Sequence, residues 1–565
     1  MSALDEFDAF DDGASSGDSS EGSALGSSAD NDEHRRGWFI ALLVGLAAAF
    51  PFLLWCGRDK WFFVDEWVFL VNRKLTEPSS LLEAHNGHWV TLPAVAYRLL
   101  FRVFGLRSYT PYLASAVIAH IGVVVVVWLT MRRLRVRPAI ATLTALPFAL
   151  YGAGQTNILF GFQIALTGSI VLGLAHLLAA TEDAPTTRRD LIGVLFGLGA
   201  IMCSAVGIPI VAGVALAVLM RRGWRAAAFH AVPFGLVYIA WYIAYGGDPN
   251  ANHNRVTETL SFVWTMGKAV FVGLGQSSLV GLGLATVAAV GVVRACRAVR
   301  VNRHSAMPST VAALLVSAAG FAFVSGVRAG GYSAQFGATD RYIYVVAALL
   351  LPLVALGAEA LARHLTVLAA VPLILLLIGL PGNIDLLRHS TTYPFGSREI
   401  VTAVAYSPLL DQLPANTRVF ALPQAPKFAP TVGFLRNAAR DGTLPQLDHP
   451  SKRVRLNADL YVAVHQTGEP SRRACPATQA PRTMRVDRGT RIAFSDSVVI
   501  VARDGAVSST PAVFNSAYGD TVDVRAGPTE LTISGPLNRP PTICRIELPV
   551  ARPLGLPTSQ HALGF

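Results

Sequence analysis

WFIALLVGLAAAFPFLLW, residues Trp38 to Trp55, followed after four residues by Lys60-Trp61-Phe62-Phe63-Val64-Asp65-Glu66-Trp67, decides how this chain is read. Eighteen residues without a charge are close to the ~20 needed to cross a bilayer as a helix. The basic pair Arg35-Arg36 precedes the run, and no clear small-residue cleavage site follows it, so it reads as a retained first span and not as a cleaved leader. Immediately beyond it stand two adjacent carboxylates, Asp65 and Glu66. Ionised groups beside an apolar bilayer lose solvation, so their presence there points to chemistry, while a solvated loop is the plainer reading.

Composition agrees with a membrane protein. The 565 residues are 52% hydrophobic and only 15% charged, with a mean hydropathy of +0.45, against about 25% charged in soluble domains. Further spans are expected near 110–131, 138–154, 158–179, 190–206, 207–220, 227–245, 275–294, 308–327, 342–362 and 365–381, about eleven in all. The fifth and sixth share one apolar run, broken at Ser204-Ala205-Val206-Gly207-Ile208-Pro209, where a kink or a re-entrant turn is as consistent as a hairpin.

Residues 1–36 form an acidic tail. Ten Asp and Glu lie among Ser and Gly before residue 34, with no Lys or Arg, a composition expected to stay disordered. Basic residues gather instead at Arg132, Arg133, Arg135 and Arg137, at Arg188 and Arg189, at Arg221, Arg222 and Arg225, and at Arg294, Arg297, Arg300 and Arg303. Short cytoplasmic loops collect Lys and Arg, so the N-terminus is expected inside and the C-terminal region outside. The first outer loop, 57–109, is long enough to escape that rule. Within it Arg98 and Arg102 lie four apart in an apolar helical stretch, which reads as an interfacial helix meeting lipid phosphate or substrate phosphate.

From about Gly382 the long apolar runs stop. Short alternating segments at 418–422, 497–502, 521–524 and 530–533 read as strands, and Pro430 to Arg440 as a helix. The expected fold is therefore an all-α polytopic membrane domain over 37–381, followed by an exterior C-terminal domain over 382–565, mixed α/β first and then β-sandwich-like. Cys475 and Cys544 are the two cysteines of that domain, and an oxidising exterior would let them close a disulfide. No P-loop, dinucleotide fingerprint, nucleophile elbow or Cys/His zinc spacing is present, which argues against soluble ATP- or NAD-dependent chemistry.

One span, a long outer loop bearing Asp65-Glu66-Trp67, many further spans and an exterior C-terminal domain together resemble the GT-C superfamily of membrane glycosyltransferases. That superfamily includes protein O-mannosyltransferases, lipid A aminoarabinose transferases and mycobacterial arabinosyltransferases. Asp65-Glu66-Trp67 matches the Asp-Glu-x form of its acidic pair, and the layout extends over roughly 38–381. Tyr97 to Leu106 and Asp340-Arg341-Tyr342-Ile343-Tyr344 are similar to segments of such proteins. The resemblance implies an inverting hexosyl- or pentosyltransferase of the plasma membrane. It would move a sugar from a polyprenyl-phosphate donor to a glycan, lipid or protein acceptor in the cell envelope, with Asp65 as general base and Glu66 orienting the acceptor or tuning Asp65.

The leaving lipid phosphate needs cationic or hydrogen-bonding partners, and Lys60, His85, His88, Arg328 and Arg341 lie on the expected side. Arg341 suits a phosphate bidentately and suits equally a snorkelling position at a helix end. His85 and His88 would bind phosphate or, with the carboxylates, a divalent cation; the identity of any metal is left open and no other cofactor is implied. Trp67 and Trp89 are candidates to stack on a sugar or to anchor at the interface, and Gln155 and Asn157 to bond sugar hydroxyls or neighbouring helices. Nucleic acid is not an expected partner. A flippase of envelope precursors, or a polysaccharide-assembly protein without catalysis, is the alternative. The absence of an internal repeat and the scarcity of charge in the later spans weigh against transport.

Overall fold

The computed structural model describes residues 21–182, 186–246, 253–302, 304–390, 398–419, 428–447, 449–467, 482–535 and 541–547. The first helix, α1 (Glu21–Cys56), continues back from the apolar span into the acidic segment expected to be disordered. A span already formed extends at one hydrogen bond per residue fixed, without a new nucleus. After it come an amphipathic helix α2 (Thr91–Phe104), then α3 (Thr110–Arg133), α4 (Pro138–Ala149), α5 (Ile164–Ala180), α6 (Thr187–Cys203), α7 (Gly207–Arg222) and α8 (Val232–Tyr245). The remaining helices of this part are α9 (Val256–Gly275), α10 (Ser278–Val301), α11 (Ala306–Arg328), α12 (Asp340–Ala362) and α13 (Ala370–Arg388).

Eight helical stretches among the described residues are long and apolar enough to cross a membrane, against about eleven expected. The other three expected spans are α4, α6 and α7, of 12, 17 and 16 residues. The apolar run that contains α6 and α7 breaks at Ser204–Val206 into these two helices. Helix α12 is buried along most of its length and forms the centre of the bundle, whereas α1 turns Ile40 and Val44 outward, as a lipid-facing helix does. Small residues let the central helices approach closely: a Cβ at Gly357 of α12 would collide with the Val287 carbonyl of α10, and one at Gly291 with that of Leu353.

Helix α9 was missed in the sequence, and it does not cross the bundle. Asn254, just before it, donates to the Val327 and Gly326 carbonyls at the end of α11 (2.8 and 3.0 Å). Gln276, just after it, reaches Asn383 near the end of α13 (3.3 Å). Both anchors lie on the side where α1 ends, so α9 runs along that face, with Leu260 and Trp264 exposed and Lys268 5.6 Å from the Trp264 ring centroid. That is the arrangement of an interfacial helix.

The opposite side is clamped by a polar cluster. Arg222 at the end of α7 holds Asp190 of α6 through two bonds of 2.7 Å, and Asp190 also meets His230 (3.2 Å), which bonds His176 of α5 (3.1 Å). Replacing Arg222 by Ala strands a hydrogen-bonded carboxylate. It is expected to lower unfolding free energy by about 2 kcal/mol, read as an earlier thermal transition in detergent.

Beyond α13 a helical layer, α14 (Arg398–Ala405), α15 (Val432–Arg440) and α16 (Lys452–Ala463), continues the bundle core: Val401, Leu435 and Val462 belong to the same buried cluster as the spans. The strands follow: β1 (Val464–Gln466), β2 (Arg482–Val486), β3 (Arg491–Phe494), β4 (Val498–Asp504), β5 (Val507–Ser508), β6 (Ala512–Phe514), β7 (Thr521–Val524), β8 (Thr529–Ser534) and β9 (Ile543–Glu547). They make two antiparallel sheets, ordered β1-β7-β3-β9 and β2-β8-β4-β5 with β6 also on β4. Ile492, Phe494 and Val522 of one sheet share a core with Ile500, Leu531 and Ile533 of the other, and Leu456 and Leu460 of α16 close it. Alternate burial along β4 follows from the two-residue period of a strand facing one core. The segment expected as a strand at 418–422 contributes only a bridge between Arg418 and Thr431 among the described residues. Of the expected disulfide, Cys475 lies outside the described residues, and Cys544 sits in β9.

Candidate functional site

The loop after α1 folds into the bundle. Asp65 and Glu66 open a three-residue helix, Asp65–Trp67. Neighbours in a helix point about 100° apart, so the two carboxylates part company. Glu66 turns inward and is fully buried. Its Oε1 accepts the hydroxyls of Tyr97 (2.6 Å) and Tyr109 (2.7 Å), and its Oε2 accepts the Phe63 N–H (2.7 Å). Tyr109 in turn accepts the Gly161 N–H (2.8 Å). Burial pushes the Glu66 carboxyl up to about 7, despite these hydrogen bonds, which favour its charged form. Glu66 therefore holds the loop and does not face a ligand.

Asp65 turns outward. Its Oδ1 lies 2.6 Å from His85 Nε2 and 3.2 Å from Asn86 Nδ2. Its Oδ2 makes no hydrogen bond among the described residues, and the side chain is 20% exposed. His85 and His88 face each other across a two-residue hairpin, each N–H donating to the other's carbonyl at 2.9 Å. Asn86 and Gly87 at its tip have φ of 49° and 70°, the type I′ geometry that Asn-Gly favours. The turn therefore fixes His85 against Asp65, and the Asn-Gly pair was the signal in the sequence that could have revealed it.

Arg328 Nη2 donates to the Asn86 carbonyl (2.7 Å), so the end of α11 closes over this hairpin. Burial, with the guanidinium groups of Arg328 and Arg341 nearby, drives the His88 imidazole down to about 3. His88 is thus neutral wherever the protein operates, and its Nδ1 is enclosed without a hydrogen-bond partner among the described residues. Arg341 at the start of α12 is flanked by the rings of Phe336 (5.2 Å) and Tyr342 (4.9 Å). Asn157 fastens its carbonyl (3.0 Å), and Asp340 beside it accepts from Thr156. The broken segment between α4 and α5 thereby places Arg341.

Lys60 is buried, donates to Ser390 Oγ (2.7 Å) and lies 4.8 Å from the Phe160 ring centroid. Its ammonium is brought down to about 8 by burial, which nearby Asp340 partly offsets. Of the expected sugar contacts, Asn157 is fully buried, and the side-chain oxygens of Asn157 and Gln155 have no partner among the described residues. Trp67 packs against Phe62 (5.8 Å) and Phe434 (6.4 Å), and Trp89 stacks on Trp241 at 5.3 Å. Both indoles are buried in packing and neither is free to carry a sugar. Arg98 bonds the Leu70 carbonyl, tying α2 to the loop instead of presenting itself to phosphate.

No group of three or more His, Cys, Asp and Glu side chains among the described residues is placed to share a metal ion. Of the donors considered, Asp65 and His85 converge but already bond each other, and Glu66 is turned away, so this set does not fit a divalent cation. What remains is a carboxylate with one open oxygen, a histidine fixed against its other oxygen, and two guanidinium groups close by. Such a set can take a proton from a hydroxyl and stabilise an anion.

No family model matches the chain, and no curated protein matches it in sequence. Two solved structures are similar to it. ArnT from Cupriavidus metallidurans in the apo state aligns over 73% of this chain and 89% of its own, with 11% identity and a TM-score of 0.44. The Archaeoglobus fulgidus oligosaccharyltransferase, crystallised with Zn and sulfate, aligns over 73% of this chain and 58% of its own, with 13% identity and a TM-score of 0.40. Both belong to the GT-C superfamily. Overlaps this loose carry no activity from one chain to the other.

Proposed function

We propose that the protein is a GT-C-type glycosyltransferase that uses a polyprenyl-phosphate sugar at the outer face of the plasma membrane. The observation that carries this is the open Oδ2 of Asp65, whose Oδ1 is bonded to His85 (2.6 Å) while Arg328 is held against the same hairpin. The acceptor hydroxyl gives its proton to Asp65 as its oxygen attacks the anomeric carbon. The bond from that carbon to the phosphate oxygen breaks, and the lipid phosphate leaves with the electron pair. Attack opposite the leaving group inverts the anomeric centre.

Arg341 and Arg328 are the partners for the departing phosphate, since the planar guanidinium fork matches phosphate oxygens in geometry. Lys60 is a further donor on the same side. His85 orients Asp65, and neutral His88 supplies hydrogen bonds without charge. Orientation rests on the arginine-rich turns at Arg132 to Arg137 and Arg221 to Arg225, which lie opposite Asp65 and read as cytoplasmic.

The test is transfer of labelled sugar from a panel of polyprenyl-phosphate donors into envelope acceptors, in membranes with and without the protein. Transfer that depends on the protein supports the reading; none with any donor removes it. A subsidiary expectation concerns Gly87, where a Cβ would stand 2.7 Å from Arg328 Nη2 in a left-handed backbone. Gly87→Ala is expected to cost about 1–2 kcal/mol locally. By displacing Arg328 it should raise the donor KM about tenfold, with a smaller change in kcat, as initial-rate measurements would show.

A further inference from the structure

The seam between the helical layer and the sandwich holds a cleft of about 740 Å³, within the range of ~300–1,000 Å³ typical of ligand sites. One wall is the end of α14 with Tyr406, Ser407 and Pro408, another is α16, and the third is the β4–β5 turn with the start of β8. None of its side chains takes part in the site around Asp65.

The cleft mixes both signs of charge. Arg455 and Asp459 lie one turn apart on α16, Arg503 faces Glu530 across paired strands, and Asp504 is bonded at 2.9 Å to Lys452 just outside the lining. Two guanidinium groups thus meet three carboxylates in the lining, which leaves no excess of positive charge to attract a phosphate chain or a sulfated polymer. Paired carboxylate and guanidinium groups do suit a ligand that offers many donors and acceptors at close spacing. Thr529 in the same wall keeps a buried hydroxyl without a partner among the described residues. Tyr406, 49% exposed, presents an aromatic face beside Pro408, suited to the C–H face of a ring.

We infer that this cleft binds a neutral, polyhydroxylated chain, an uncharged oligosaccharide. If the proposed transferase activity holds, on which this last step rests, the bound chain is the acceptor, gripped away from its reacting end. The helical layer that forms one wall also seats on the Asp65 loop, through Phe434 against Trp67 (6.4 Å), Arg107 to the Gly442 carbonyl (2.7 Å) and Arg418 to Asn72 (3.1 Å).

The experiment is binding of short linear neutral oligosaccharides, and of sulfated counterparts, to the full-length protein in nanodiscs. At least one neutral chain should bind. Tyr406→Ala and Glu530→Gln should each weaken it about tenfold, Tyr406→Phe should retain it, and Asp65→Asn should bind as the native protein does. Failure of every neutral chain, preference for a sulfated one, or binding as tight as the native protein's by both Tyr406→Ala and Glu530→Gln overturns the inference. Binding that behaves as expected, without transfer from any donor, leaves the cleft standing and removes only the transferase reading. In active protein the two variants should raise KM for a long acceptor and leave KM for a single-sugar acceptor unchanged.

Discussion

Asp65→Asn is expected to reduce sugar transfer by about 10²–10⁴-fold while leaving the amount of folded protein and its melting temperature unchanged. The amide keeps the size of the side chain, and its oxygen still meets His85 Nε2, 2.6 Å from Oδ1 in the native loop. What disappears is the capacity of Oδ2 to take a proton. Because Asp65 is partly exposed and makes no contact that the core depends on, a loss of activity cannot be ascribed to unfolding. His85→Gln should cost less, about tenfold, since it disturbs the aim of the carboxylate and not its chemistry. Equal transfer by the native protein and Asp65→Asn, at matched expression, would remove Asp65 as the base and with it the mechanism.

The second large effect is on stability. Glu66→Leu leaves the hydroxyls of Tyr97 and Tyr109 and the N–H of Phe63 without their acceptor in a dry interior. At about 1–3 kcal/mol for each of the three stranded groups, the loss is roughly 3–9 kcal/mol. That is enough to unfold the loop even if the bundle survives. Activity should vanish with it, whereas Glu66→Gln, which keeps an acceptor oxygen, should fold and retain much of the transfer.

The same residue sets a pH dependence. Its carboxyl titrates at about 7 when folded, against an ordinary 4.5, so the folded protein binds the proton more tightly than the unfolded chain. The associated stability is complete below about pH 4.5 and is lost as pH rises through 7, by up to about 3 kcal/mol. Melting curves at pH 5 and pH 8 should show this decline in the native protein and not in Glu66→Gln, which stays neutral throughout.

Much of this architecture is legible in the residues because spans depend on a strong and simple signal, length without charge. Helix α9 escaped for the same reason: Glu258 and Lys268 interrupt its apolar run, and one face remains in contact with the protein while the other is exposed. The acidic pair was visible, but not which carboxylate does what. That depends on a three-residue helix whose direction is set by tyrosines 31 and 43 positions away. Trp67 and Trp89 illustrate the converse. An indole beside polar residues suits a sugar or a core equally, and only Phe434 and Trp241, distant in sequence, decide for the core. The cleft at the seam left no local pattern at all, since its walls come from five separate segments.

The loop that carries Asp65 is secured by partners made late. Lys60 bonds Ser390, Arg107 bonds Gly442, and Asn72 bonds Arg418, at separations of 330, 335 and 346 residues. At about 5–20 residues per second, ribosomal synthesis of that interval takes roughly 20–70 s. During that time the loop lies beyond the first span without its covering layer. The nascent chain is therefore inserted long before it is competent, and an interrupted translation product that ends within the spans would occupy the membrane without an assembled centre.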